Sequence, residues 1–217
     1  MTLVERWLAA LNASAGETTD GIADESAVRA CHDLVTLYEE SHRAYHNVRH
    51  LTEVLDIVDE LADEAEDADA VRLAAWFHDA EYRAESVVSI SSEEASARLA
   101  EQILPQLCAP AVLVAEVSRL VRLTEKHVAG DDDRNAAVLL DADLAILGAD
   151  PERYADYARA VREEYREIPD AVFRPARARI LAELLSAPTV YRTPSARARF
   201  ESRARANVAG EIATLTS

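Results

Sequence analysis

Two of the chain's six histidines, His46 and His50, stand four residues apart in the hexapeptide YHNVRH, residues 45–50. Imidazole is suited to holding a metal or moving a proton near neutral pH. On a helix, residues i and i+4 share a face, about 6 Å apart. One ring can then bind a cation while its neighbour reaches a substrate beside it. For His46 the plainer alternatives are a helix cap or a solvated position. Further along, AAWFHDAEY sets His78 beside Asp79, LTEKH ends on His127, and LLDADLAILG carries Asp141 and Asp143.

Several of these polar residues fall on faces that should be buried. His50 opens a stripe with Val54 and Leu61, and His78 lies one turn beyond Ala74 and Ala75. Asp143 has Leu139 and Leu140 one turn before it and Ile146 and Leu147 one turn after. His127 stands over Leu120, Leu123 and Thr124. An unpaired buried carboxylate costs several kcal/mol, so such groups need partners. His50, His78, Asp79 and Asp143 can satisfy one another around a divalent cation. Imidazole nitrogen with carboxylate oxygen suits Mn, Fe, Ni or Zn better than Ca. Mg is a further option.

The elements that must position these groups read as helices. Apolar residues recur with a 3.6-residue period, and capping residues mark the ends. Helices are expected over about 2–13, 24–42, from near Asn47 through Leu61, and over 69–82. Gly16 and Gly21 are expected to break the first pair. Ser91 and Glu94 have capping-box spacing for the next helix, and Pro105 and Pro110 flank the following break. Helix 111–127 ends at His127, and Gly148 closes the helix that carries Asp143. Asp150-Pro151, Pro169-Asp170 and Thr193-Pro194 open the last three. The expected architecture is all-α, a bundle of about nine or ten helices in one domain, 1–217. Its core spans about 24–166, with C-terminal helices over about 169–214 packing on it.

Composition narrows the function. At 217 residues the chain can bury a sizeable core. Ala and Leu dominate, which favours helix. A formal charge of −17 repels polyphosphate backbones and argues against nucleic acid as a partner. No apolar run reaches the roughly 20 residues that span a bilayer. The N-terminus has an acidic residue where a leader needs basic ones. Cys31 and Cys108 form no metal or redox spacing, so a cytoplasmic location is expected. The sequon at Asn12 is then incidental.

The same motifs resemble those of the HD superfamily of metal-dependent phosphohydrolases: a histidine early in one helix, His-Asp 28 residues on, and an aspartate in a later helix. YHNVRH is similar to the Tyr-His-Asn-x-x-His motif of the cyclic-nucleotide phosphodiesterases. AAWFHDAEY, SSEEAS, LTEKH, LLDADLAILG and YADYARAVREEY together resemble a bacterial family of predicted HD phosphohydrolases, over about Tyr45 to Tyr165. The resemblance implies an HD-type helical fold with His50, His78, Asp79 and Asp143 as ligands of one ion. It implies hydrolysis of a small phosphoester, a nucleotide among the options, by metal-activated water. Asp79 would orient that water and His46 would protonate the leaving oxygen, with Tyr45 and Asn47 supporting the turn.

The chain also departs from the pattern. The phosphodiesterases continue His-Asp-x-x-His, whereas Tyr82 stands here. A second ion would need His127, Glu81 or Glu94. His127 is equally a partner to a ligand or, beside Lys126, a phosphate contact. Asp141 competes with Asp143, which is preferred because its face is more apolar and Ala142-Asp143-Leu144 matches the superfamily's phrasing. Arg49, Arg83, Lys126 and Arg162 are phosphate-contact candidates by position only. The expected partner is a small phosphorylated substrate, with a homodimer as an option and no membrane. Two other classes stay open: a di-iron HD-type oxygenase, and a non-catalytic metal-binding or interaction protein.

Overall fold

The computed structural model describes residues 1–15, 21–83 and 90–217. Among the described residues it is all-helical, with ten α-helices and no strand. They are α1 (Leu3–Ala15), α2 (Gly21–Tyr38), α3 (Val48–Glu60), α4 (Ala68–Phe77), α5 (Ser92–Gln106), α6 (Ala111–Leu123), α7 (Arg134–Asp143), α8 (Pro151–Glu164), α9 (Asp170–Ser186) and α10 (Pro194–Thr216). Short 3-10 turns follow α3 at Ala62–Glu64 and α7 at Leu144–Gly148. The expected break at Gly16 lies outside the described residues. No helix among them is long and apolar enough to cross a membrane.

The bundle is built around α4, whose residues Ala70, Val71 and Leu73 to Phe77 are fully buried. Helices α1, α3, α6 and α7 pack around it. Trp7 of α1 meets Trp76 and Phe77 edge-on, at centroid distances of 5.4 and 5.9 Å. Its indole N–H donates to the Ala27 carbonyl, so this large side chain is buried without a stranded donor. Helix starts follow the expected chemistry. The side chains of Asn47, Ser91, Asp133, Asp150 and Thr193 each accept a backbone N–H from the first turn they precede.

Helix ends differ from the pattern, and the differences fall at the polar residues. Helix α2 stops at Tyr38, α4 at Phe77 and α6 at Leu123, each about one turn earlier than periodicity suggests. His46 is therefore not one turn before His50 on a shared helix; it sits in the turn ahead of the N-cap Asn47. His78 and Asp79 lie just past α4. After α6, His127 has φ 50°, a left-handed conformation that residues other than glycine seldom adopt. Pro105, one residue inside the end of α5, and Pro110, the N-cap of α6, flank the break between these helices as expected.

The last two helices form a hairpin against the turn that follows Asp143. Asn207 donates to the carbonyls of Leu147 and Ala149, both at 2.9 Å, and the Tyr191 hydroxyl donates to Leu144 at 3.0 Å. Gly148 lets α10 approach: a Cβ there would lie 2.5 Å from Phe200 Cβ and 2.9 Å from its backbone. Gly148→Ala should therefore push the hairpin outward and cost roughly 1–3 kcal/mol, as overpacking does. Urea unfolding of the variant beside wild type measures this; an unchanged midpoint would mean that the contact gives way freely.

Candidate metal centre

Four polar side chains from α3, the end of α4 and the end of α7 meet in the interior. His50 and His78 are 2% and 1% exposed, and Asp79 and Asp143 are each 15% exposed. The two Nε2 atoms are 3.0 Å apart. Asp143 Oδ1 lies 3.3 Å from His50 Nε2 and 3.7 Å from His78 Nε2. Asp79 Oδ2 lies 3.3 and 3.1 Å from the same two atoms. His50, His78 and Asp143 thus form a group that could hold a metal ion.

The donor chemistry fits a divalent ion. Ligands sharing one ion through bonds of about 2.0–2.1 Å stand roughly 3.0–3.4 Å from one another when adjacent, which is the spacing around the two imidazoles. His78 Nδ1–H donates to the Ala75 carbonyl at 2.8 Å, which leaves its Nε2 lone pair for the cluster. Among themselves the four groups carry complementary charges, and a cation would take the place of the proton on His50 Nε2. Burial works against a charged His50, yet hydrogen bonds to Asp143 and Asp79 lift it to about 9. Burial works to raise the Asp79 carboxyl, but His78, His46 and His50 hold it well below the usual carboxylate range. Asp143 is held low in the same way by His127, His50 and His78.

His46 stands beside this group, its ring centroid 5.6 Å from that of His50. It stacks on Tyr82 at 4.1 Å, and its Nδ1–H donates to Glu164 Oε2 at 2.7 Å. Glu164, a buried carboxylate on α8, also accepts the backbone N–H of Tyr45 and His46 and the Tyr82 hydroxyl. Tyr82 thus supports His46 from one face of its ring and through the shared Glu164 carboxylate. A second organiser is Arg43, whose buried guanidinium donates to the carbonyls of His46, Asp79 and Ala80. The sequence reading passed over Arg43 and Glu164. Each looks like one more charge in a helical run, and the only available signal was that Glu164 falls on the apolar face of α8 with Tyr157 and Val161.

The other candidates separate. His127 joins the cluster, its Nε2–H donating to Asp143 Oδ2 at 2.8 Å. Asp141 is fully buried, but its carboxylate accepts the backbone N–H groups of Arg192 and Thr193. Tyr45 packs against His46, His50 and Tyr157, and its buried hydroxyl has no partner among the described residues. Asn47 caps α3. Glu94 pairs with Arg98 and Arg122, and Arg49 with Glu53. Arg162 closes the end of α8 through the carbonyls of Tyr165 and Ile168. Glu81 lines a surface cleft with His42, Arg83 and the two residues that hold His46 (Tyr82 and Glu164), and Lys126 is exposed.

No protein-family model matches the chain, and no curated protein or solved structure matches it either. The geometry itself makes a prediction. Protein dialysed against Mn or Zn should retain a stoichiometric ion by elemental mass spectrometry and melt at higher temperature for it. His50→Ala and Asp143→Ala should lose both effects. Full retention of the ion by both variants would place the binding site elsewhere.

Proposed function

We propose that the chain is a metal-dependent phosphohydrolase acting on a small phosphoester. The observation that carries this reading is the convergence of two imidazoles and two carboxylates at ion-sharing distances, with a third imidazole, His46, held beside them by a buried carboxylate. The resemblance of YHNVRH, His78-Asp79 and Asp143 to the HD phosphohydrolases supports the same reading. A divalent ion bound there would supply Lewis acidity, offsetting phosphoryl charge and making water a better nucleophile at neutral pH.

The chain's own groups do the rest. His50, His78 and Asp143 would hold the ion, and Asp79 would complete the set and orient the attacking water. As an imidazolium, His46 would keep its Nδ1–H bonded to Glu164 and pass its Nε2 proton to the departing oxygen, leaving a neutral ring. Stacking on Tyr82 fixes the plane of that ring. A groove of about 380 Å³ begins at His50 and Asp143 and is walled by Tyr45, Val54, Ile146 and Phe200. It can seat the organic part of a substrate. The two free cysteines suit a reducing, cytoplasmic setting.

Phosphate release from a panel of nucleotides and simple phosphomonoesters, with Mn-loaded protein, tests the proposal. His46→Ala should lower kcat by about 10²–10⁴ while leaving bound metal unchanged. Glu164→Gln should lower it by a smaller factor, and Asp79→Ala should lose both turnover and metal. Failure of loaded wild type to cleave any ester, or loss of metal from His46→Ala, would sink the assignment.

A further inference from the structure

Asp143 uses its two oxygens differently. Oδ1 faces His50 and His78, and Oδ2 accepts the hydrogen bond from His127. His127 is itself held in an unfavourable backbone conformation beyond α6, with φ 50°. Its N–H donates to the Leu123 carbonyl at 3.0 Å. Its carbonyl accepts from the Arg192 guanidinium. Arg192 belongs to the segment between α9 and α10, which is distant in sequence from the rest of the cluster.

The Arg192 segment is anchored in turn. Its backbone N–H lies 2.9 Å from both oxygens of Asp141, and the N–H of Thr193 lies 2.7 Å from Oδ2. Asp141 is fully buried, two residues before Asp143 on α7. The contacts therefore close on themselves. They run from Asp143 to the His127 ring, from the His127 carbonyl to Arg192, and from the Arg192 backbone to Asp141. A planar guanidinium with several fixed donors suits such a bridge better than a flexible ammonium.

We propose that Arg192 is a positioning residue that holds His127 against Asp143, so that the C-terminal hairpin sets the orientation of a carboxylate in the candidate metal centre. It acts through His127 and touches neither ion nor substrate. Groups that orient a metal ligand from behind commonly change metal affinity by about 10–100-fold when removed. The positioning itself does not depend on the phosphohydrolase reading, and only the metal arm of the test below depends on the metal centre.

The test compares Arg192→Ala with wild type by the imidazole nitrogen resonances of the whole chain, identified with a His127→Gln variant, and by titration with Mn alone. In Arg192→Ala, the His127 Nε2 resonance should leave its carboxylate-bonded position while those of His50 and His78 stay. Mn affinity should fall about tenfold or more, and adding His127→Gln to Arg192→Ala should cost nothing further. Asn207→Ala, which cuts a different tether of the hairpin, should leave His127 unmoved. Should Arg192→Ala fail to fold, Arg192→Lys carries the same comparison with a partial shift expected. An unmoved His127 resonance, or an equal shift in Asn207→Ala, would overturn the proposal. Wild type that binds no Mn would overturn the metal centre instead, leaving the resonances to decide on Arg192.

Discussion

Two carboxylates and two imidazoles share one buried place, and most of the polar architecture answers to that fact. Burial alone favours the neutral form of every one of these groups. Here the opposite signs lie close enough to hold one another charged, with His50 lifted and Asp79 and Asp143 pressed down. A cluster of this kind stabilises the fold only if its members are kept in register, because breaking one pair strands the other charge. The surrounding helices act as a rigid frame, and the precision comes from what happens at their ends.

None of the turns that bring His46, His78, Asp79 and His127 to the cluster is itself regular helix. The turns at His46 and Asp79 are fixed directly by buried polar side chains that take up their backbone groups, and the turn at His127 is fixed through Arg192, whose own segment is held by the buried Asp141. Arg43 gathers carbonyls from the turns holding His46 and Asp79. Glu164 gathers N–H groups at Tyr45 and His46 as well as the His46 ring. Asp141 gathers those of Arg192 and Thr193. A buried backbone group without a partner is costly, so satisfying these turns and placing the chemistry are one and the same task.

The C-terminal hairpin takes part in this arrangement. Phe200 lies close over Gly148, and Asn207 and Tyr191 bind the carbonyls of the turn after Asp143. The hairpin therefore buttresses the turn that directly follows the candidate ligand Asp143, and it also forms one wall of the adjoining groove through Phe200. Position on the chain is a poor guide to distance from the chemistry here.

The sequence by itself determined the helical class, most helix starts and the residues with the capacity for chemistry. Those signals are local: a 3.6-residue period, a cap beside the turn it serves, and polar groups such as His50 and Asp143 on apolar faces. Only the tertiary structure decided where α2, α4 and α6 end, because the residues beyond them remain helix-compatible and are diverted by partners far along the chain. It also separated Asp141 from Asp143. Two residues apart, they read almost alike, and they differ because one meets the N–H groups of Arg192 and Thr193 while the other meets three imidazoles. Arg43, Glu164 and Arg192 were illegible for the same reason. Their meaning lies in carbonyls, N–H groups and a ring that no periodicity links to them, and packing alone brings these within reach.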